Sequence, residues 1–104
     1  MRSRNGKSYE IHVAQRLASL GYTVRVIGKT ADYGADLIVY TRQGAVVVQC
    51  KHYSKPVGVK AVQEVTAAWQ FYGAIGAAVA TNSTFTANAK KLAARCKVEL
   101  IERF

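Results

Sequence analysis

The sequence predicts an α/β fold, a central mixed sheet flanked by helices, on three observations. Segments in the first and second thirds repeat apolar residues at helical spacing, and each stops at a glycine. Short runs of β-branched or small apolar residues, bounded by turn-forming residues, read as strands. In chain order the elements run αβββαβαβ. A hairpin-built start followed by strand–helix–strand crossovers gives a sheet with both kinds of pairing and helices on both faces.

The first helix spans about Gly6 to Leu20, with Tyr9, Val13, Leu17 and Leu20 on one face and Gly21 at its stop. Tyr22 to Ile27 is a short strand, and Gly28 to Gly34 a polar loop. Asp36 to Tyr40 and Ala45 to Lys51 are strands joined by a tight Gly-containing turn. A loop with the single proline, Pro56, leads to a helix over Val59 to Tyr72, its apolar face Val62, Val65, Trp69 and Tyr72, closed by Gly73. Ala77 to Ala80 is a buried strand of small residues. Thr86 is the N-cap of a helix carrying Ala89, Leu92, Ala93 and Cys96, and Val98 to Ile101 is the last strand.

One hundred and four residues, half of them hydrophobic, make one folded domain. Fifteen Lys and Arg against six Asp and Glu give a net charge of +9, which favours polyanions, nucleic acid first among them. Cys50 and Cys96 fit neither zinc spacing nor a disulfide framework and read as buried, reduced and inert. No segment is long enough for a membrane span and no signal stretch opens the chain, so the expected setting is a reducing, cytoplasmic one. Because the first helix starts almost at once, the chain reads as a catalytic domain cut from a longer protein.

The scarcity of acids makes their positions informative. Glu10 borders the buried stripe of the first helix, and Asp36 opens an apolar strand. Gln49 and Lys51 end the next strand two residues apart, so they share a face while Cys50 points the other way. A lysine ending a valine run costs burial energy unless it reaches water, phosphate or carboxylate. An acid, an amide carbonyl and an ammonium at one end of a small sheet suggest a metal-dependent site acting on phosphate. Strand parity adds a geometric condition: Asp36 shares that face only in an even register or with a β-bulge. Pairing Asp36 with Gln49 closes the hairpin through Arg42 and Gln43, whereas pairing it with Lys51 needs a four-residue loop. Gln63 and Glu64 sit in the first turns of the second helix, one face of which reaches toward the site, with surface solvation the commoner reading for Glu64.

Four segments in order, Asp-Tyr-Gly-Ala-Asp-Leu (32–37), Gln-Cys-Lys-His-Tyr (49–53), Pro-Val-Gly-Val-Lys-Ala-Val-Gln-Glu (56–64) and Thr-Asn-Ser-Thr-Phe-Thr (81–86), resemble the Mrr-type restriction endonuclease catalytic domain. That group belongs to the PD-(D/E)xK nuclease superfamily, so the resemblance implies a restriction-endonuclease-like αβββαβ core. It implies that Asp36 is the metal-binding acid, Glu10 the first-helix acid, and Lys51 the catalytic lysine. Gln49 stands where most of the superfamily has glutamate, making Glu10, Asp36 and Gln49 the metal set. Mg²⁺ is the implied cofactor, with Mn²⁺ able to substitute. An amide oxygen can ligate a hard cation but brings no charge, which shifts metal affinity onto the two acids.

The expected function is a metal-dependent endonuclease domain hydrolysing DNA phosphodiester bonds. The alternatives are a Holliday-junction resolvase-like nuclease and a DNA-binding module without catalysis. Candidate DNA contacts are Lys29, Lys55 and Lys60 in or beside loops, Tyr53 beyond the lysine, and Thr81 and Asn82 at the end of a buried strand. Expected partners are DNA, a second copy in a homodimer, and an additional DNA-recognition domain in the parent protein, with no membrane.

Overall fold

The structure, a computed structural model, describes residues 6–27 and 33–104. Its elements are α1 (Gly6–Ser19), β1 (Thr23–Val26), β2 (Leu37–Tyr40), β3 (Ala45–Lys51), α2 (Val59–Tyr72), β4 (Gly76–Thr81), α3 (Ala87–Cys96) and β5 (Glu99–Ile101). The strands lie side by side in chain order; β1, β2 and β3 pair antiparallel, and β3, β4 and β5 pair parallel. The sheet is mixed, as the element order requires.

Two apolar layers sandwich it. Tyr9, Val13, Ala14 and Leu17 of α1 pack on Leu37, Val39, Val48, Cys50, Ala78 and Ala80. On the opposite face Val62, Val65 and Ala68 of α2, with Ala89 and Ala93 of α3, cover Ile38, Val47, Ala77 and Val79. Alternate residues of β3 thus serve alternate layers, the pleat's period of two. Small residues in β4 let α2 sit close to the sheet, while α3 packs on α2 and β5. Trp69 and Tyr72 are only partly buried at the edge of this layer, and Cys96, read as buried, is also only partly so. Leu20, expected on the buried face of α1, is 64% exposed because the helix ends at Ser19 before that turn completes.

Local chemistry accounts for the boundaries. Thr86 caps α3 by accepting the Ala89 N–H at 3.0 Å. Gly73 ends α2 in the left-handed conformation, its N–H bonding back to the Gln70 carbonyl. Thr41 and Gly44 exchange backbone hydrogen bonds of 2.9 and 3.3 Å, closing the β2–β3 hairpin around Arg42 and Gln43. That loop fixes the register Leu37↔Val48, Ile38↔Val47.

Candidate active site

The register, continued one step beyond Leu37↔Val48, sets Asp36 against Gln49. The Asp36 N–H instead donates to the Val48 carbonyl at 2.8 Å, the residue that already faces Leu37. Two successive residues therefore meet one on β3, the count of a β-bulge at the mouth of the sheet. The Asp36 carboxylate folds over the strand end and accepts the Cys50 N–H at 2.7 Å. It is held by a charge-assisted bond and remains partly exposed.

Glu10, Asp36, Gln49 and Lys51 line one cleft of about 740 Å³, together with Tyr33, Gly34, Cys50, Glu64, Ala67 and Phe71. Four elements build it: α1 gives Glu10, the ends of β2 and β3 give the centre, and α2 gives the far wall. Half of the chain's six acids, Glu10, Asp36 and Glu64, border this one space in a molecule of charge +9. Cys50 registers that concentration. Burial first, then the carboxylates of Asp36 and Glu10, push its thiol far above the ordinary range, so it stays neutral and unreactive.

Gln49 is the most informative side chain. It is only 6% exposed, and its amide nitrogen donates to the Gly34 carbonyl at 3.3 Å and to Glu64 Oε1 at 3.0 Å. Two acceptors on the nitrogen fix which way the amide points. Its oxygen, buried, then has no hydrogen-bond partner. Tyr9 and Tyr72 also carry buried hydroxyls without a partner, but neither residue lines this cleft. Lys51 is half-buried, with Nζ 3.6 Å from Glu64 Oε1 and 6.0 Å from the centre of the Tyr53 ring.

Glu64 is therefore not a solvated surface acid; the packing of α2 against β3 turns it onto Gln49 and Lys51. Gly34 makes this approach possible. Its φ is +90°, and a Cβ there would run into the backbone carbonyl of Glu64. Tyr33 and Phe71, both exposed, stack with ring centroids 3.7 Å apart and form the outer wall. The signal for this wall lies at helical spacing: Glu64, Ala67 and Phe71 form a second stripe on α2, beside its core stripe.

The remaining candidates divide. Lys29 lies outside the described residues. Lys55 and Lys60 are exposed, and Tyr53 is 38% exposed. Thr81 is 0% exposed and its hydroxyl accepts the Ser83 N–H, so it has no surface to offer a phosphate and serves the turn. Asn82 is exposed, but its amide is engaged on both sides, accepting the Tyr53 N–H at 2.8 Å and donating to the Tyr53 carbonyl at 2.9 Å. Among the described residues no three His, Cys, Asp or Glu side chains converge to hold a metal ion.

The family model Mrr_cat, restriction endonuclease, matches residues 1–103. The chain belongs to that family. Two solved structures share the fold. A protein of unknown function, AF1548, superposes with a TM-score of 0.75 at 20% identity, covering 89% of this chain and 55% of that one. EndoMS in its apo form gives a TM-score of 0.66 at 12% identity, covering 98% of this chain and 47% of that one. The chain thus spans about half the length of either protein. No curated protein matches the sequence. Among the described residues no helix is long and apolar enough to cross a membrane.

Proposed function

We propose that this domain is a metal-dependent DNA endonuclease of restriction type, hydrolysing phosphodiester bonds at the Glu10–Asp36–Gln49–Lys51 cleft. The observation that carries the reading is the Gln49 amide oxygen, buried and without a hydrogen-bond partner in a cleft bordered by carboxylates. Leaving such an oxygen unpaired costs about 1–3 kcal/mol unless a ligand meets it. Carboxylate and amide oxygens are hard donors, the kind that suits Mg²⁺, with Mn²⁺ as a substitute. Such an ion supplies Lewis-acid polarisation of a phosphate and a water of lowered pKa when bound. The protein's own part is to hold the acids fixed, Asp36 through the Cys50 N–H, and to keep the Lys51 ammonium where charge develops on the phosphate. Exposed Lys55 and Lys60, with Lys29 and the overall +9 charge, support backbone contacts that are largely independent of sequence. Severing both strands of a duplex needs two such clefts, which favours a homodimer, with base recognition by a further domain of the parent protein. A cytoplasmic, reducing location fits the two free cysteines.

The test is cleavage of supercoiled plasmid, methylated plasmid and a four-way junction with Mg²⁺, Mn²⁺ or chelator. Nicked or linear plasmid with either ion, and none with chelator, is expected. Binding to DNA without cleavage of any substrate would make the domain a DNA-binding module. Cleavage confined to the junction would make it a resolvase-like nuclease.

A further inference from the structure

Beside the acids of the cleft stands an amide, Gln49, with a further acid, Glu64, directly behind it. Glu64 Oε1 accepts the Gln49 N–H at 3.0 Å and lies 3.6 Å from the Lys51 ammonium, so one oxygen touches both polar side chains of the β3 end. Gly34, the one residue type that clears the Glu64 backbone at that point, offers the other acceptor for the same amide. The Gly34 contact is with the Glu64 backbone and sets how near α2 lies to the loop; the side-chain contact is what bears on Gln49. Surface pairs are weak and mobile. Here the contact instead decides an orientation: with its nitrogen taken by two acceptors, Gln49 can present only its oxygen to the cleft. A charge one bond behind a ligand also raises the donor strength of that ligand, as outer partners of metal sites do.

We propose that Glu64 is a positioning residue, the charged half of a Glu64–Gln49 relay that stands in for a direct carboxylate ligand and keeps Lys51 at the cleft. This rests on the nuclease reading but predicts something that reading does not: the charge is portable across the pair. Glu64→Gln preserves size and an acceptor while removing the charge. Gln49→Glu in that background returns a carboxylate to the other side of the same hydrogen bond. Gln49→Glu alone sets two carboxylates against each other at a contact of 3.0 Å.

The experiment titrates Mn²⁺ into the full chain and these three variants without DNA, read by water-proton relaxation. A thermal melt accompanies each titration to show that the variant is folded. Glu64→Gln is expected to weaken Mn²⁺ binding about 10–100-fold. Gln49→Glu alone is also expected to bind poorly, and the double exchange to recover to within a few-fold of the parent, with plasmid cleavage following the same order. Parent-like Mn²⁺ affinity in folded Glu64→Gln, or a double exchange no better than the single variants, overturns the relay while leaving the nuclease reading in place. A parent chain that binds no Mn²⁺ and cuts no DNA would overturn both.

Discussion

Strands β3 and β4 lie side by side, run parallel and end at the same edge of the sheet, Lys51 beside Thr81. Both are apolar runs closing on polar residues, and both ends carry candidate site residues, the stronger set at the end of β3. Their polar ends are used differently. At the end of β4 the Thr81 hydroxyl accepts the Ser83 N–H, and the Thr81 and Ser83 carbonyls take the N–H groups of Phe104 and Arg103 at 2.9 and 3.0 Å. The Asn82 amide clamps the Tyr53 backbone from both sides. At the end of β3 the side chains face a cleft, and the Gln49 oxygen is left over. A polar strand end is scaffold when its bonding capacity closes on itself, and a candidate site when it does not.

The contrast breaks first if the β3 end proves dispensable. Asp36→Asn keeps an acceptor for the Cys50 N–H but removes the charge, and Lys51→Ala removes the ammonium. Each should lower plasmid cleavage about 10²–10³-fold with the melting temperature nearly unchanged. Cleavage within a few-fold of the parent in either variant would place the chemistry elsewhere.

Gly34→Ala sharpens the comparison next. A side chain at φ +90°, driven into the Glu64 carbonyl, should cost about 1–3 kcal/mol in urea unfolding and reduce cleavage as well, since the loop that holds Gln49 must shift. Loss of stability with full activity would separate the loop from the site.

At the β4 end the expected effects are on stability alone. Thr81→Val and Asn82→Ala each remove turn hydrogen bonds worth about 0.5–1.5 kcal/mol, measurable by denaturant titration. Their cleavage rates should stay within about twofold of the parent, a difference under about 0.5 kcal/mol in barrier height. A large rate loss in stable Asn82→Ala would erase the distinction between the two ends.

The smallest effect lies under the site. Burial pushes Tyr9 up to about 12 and raises the Cys50 thiol above its ordinary 9.0. Both groups keep their protons longer in the folded chain than in the unfolded one. Their contribution is therefore complete below about pH 9 and is lost as pH rises through the alkaline range. Cys50→Ala should flatten the beginning of that decline in melting temperature between pH 9.0 and 10.0, where the thiol titrates before tyrosine in the unfolded chain. An identical alkaline profile for parent and variant would remove Cys50 from the account.

The local pattern of the sequence carries the element order and several boundaries. The valine run ending in Gln-Cys-Lys spans β3 residue for residue, and the 59–72 helix is bounded by glycines on both sides. Period-two and period-3.6 patterns are short-range, and so are caps such as Thr86 and turns such as Arg42-Gln43, so these are written within a few neighbouring residues. Parity alone put Gln49 and Lys51 on one face and required an even register or a bulge for Asp36; the hairpin has the even register, with bulge-like bonding at Asp36. Tertiary packing decided the rest. Which polar ends close on themselves depends on partners distant in sequence: Asn82 on Tyr53, Thr81 on Phe104, Gln49 on Gly34 and Glu64. Surface solvation is the commoner reading of Glu64 because its own helix offers it only solvent and the exposed Lys60, one turn earlier. Only the docking of α2 on the sheet, at a point where Gly34 removes the steric bar, turns it inward. A side chain's hydrogen-bond balance is set by what the fold brings to it, and that has no local signature.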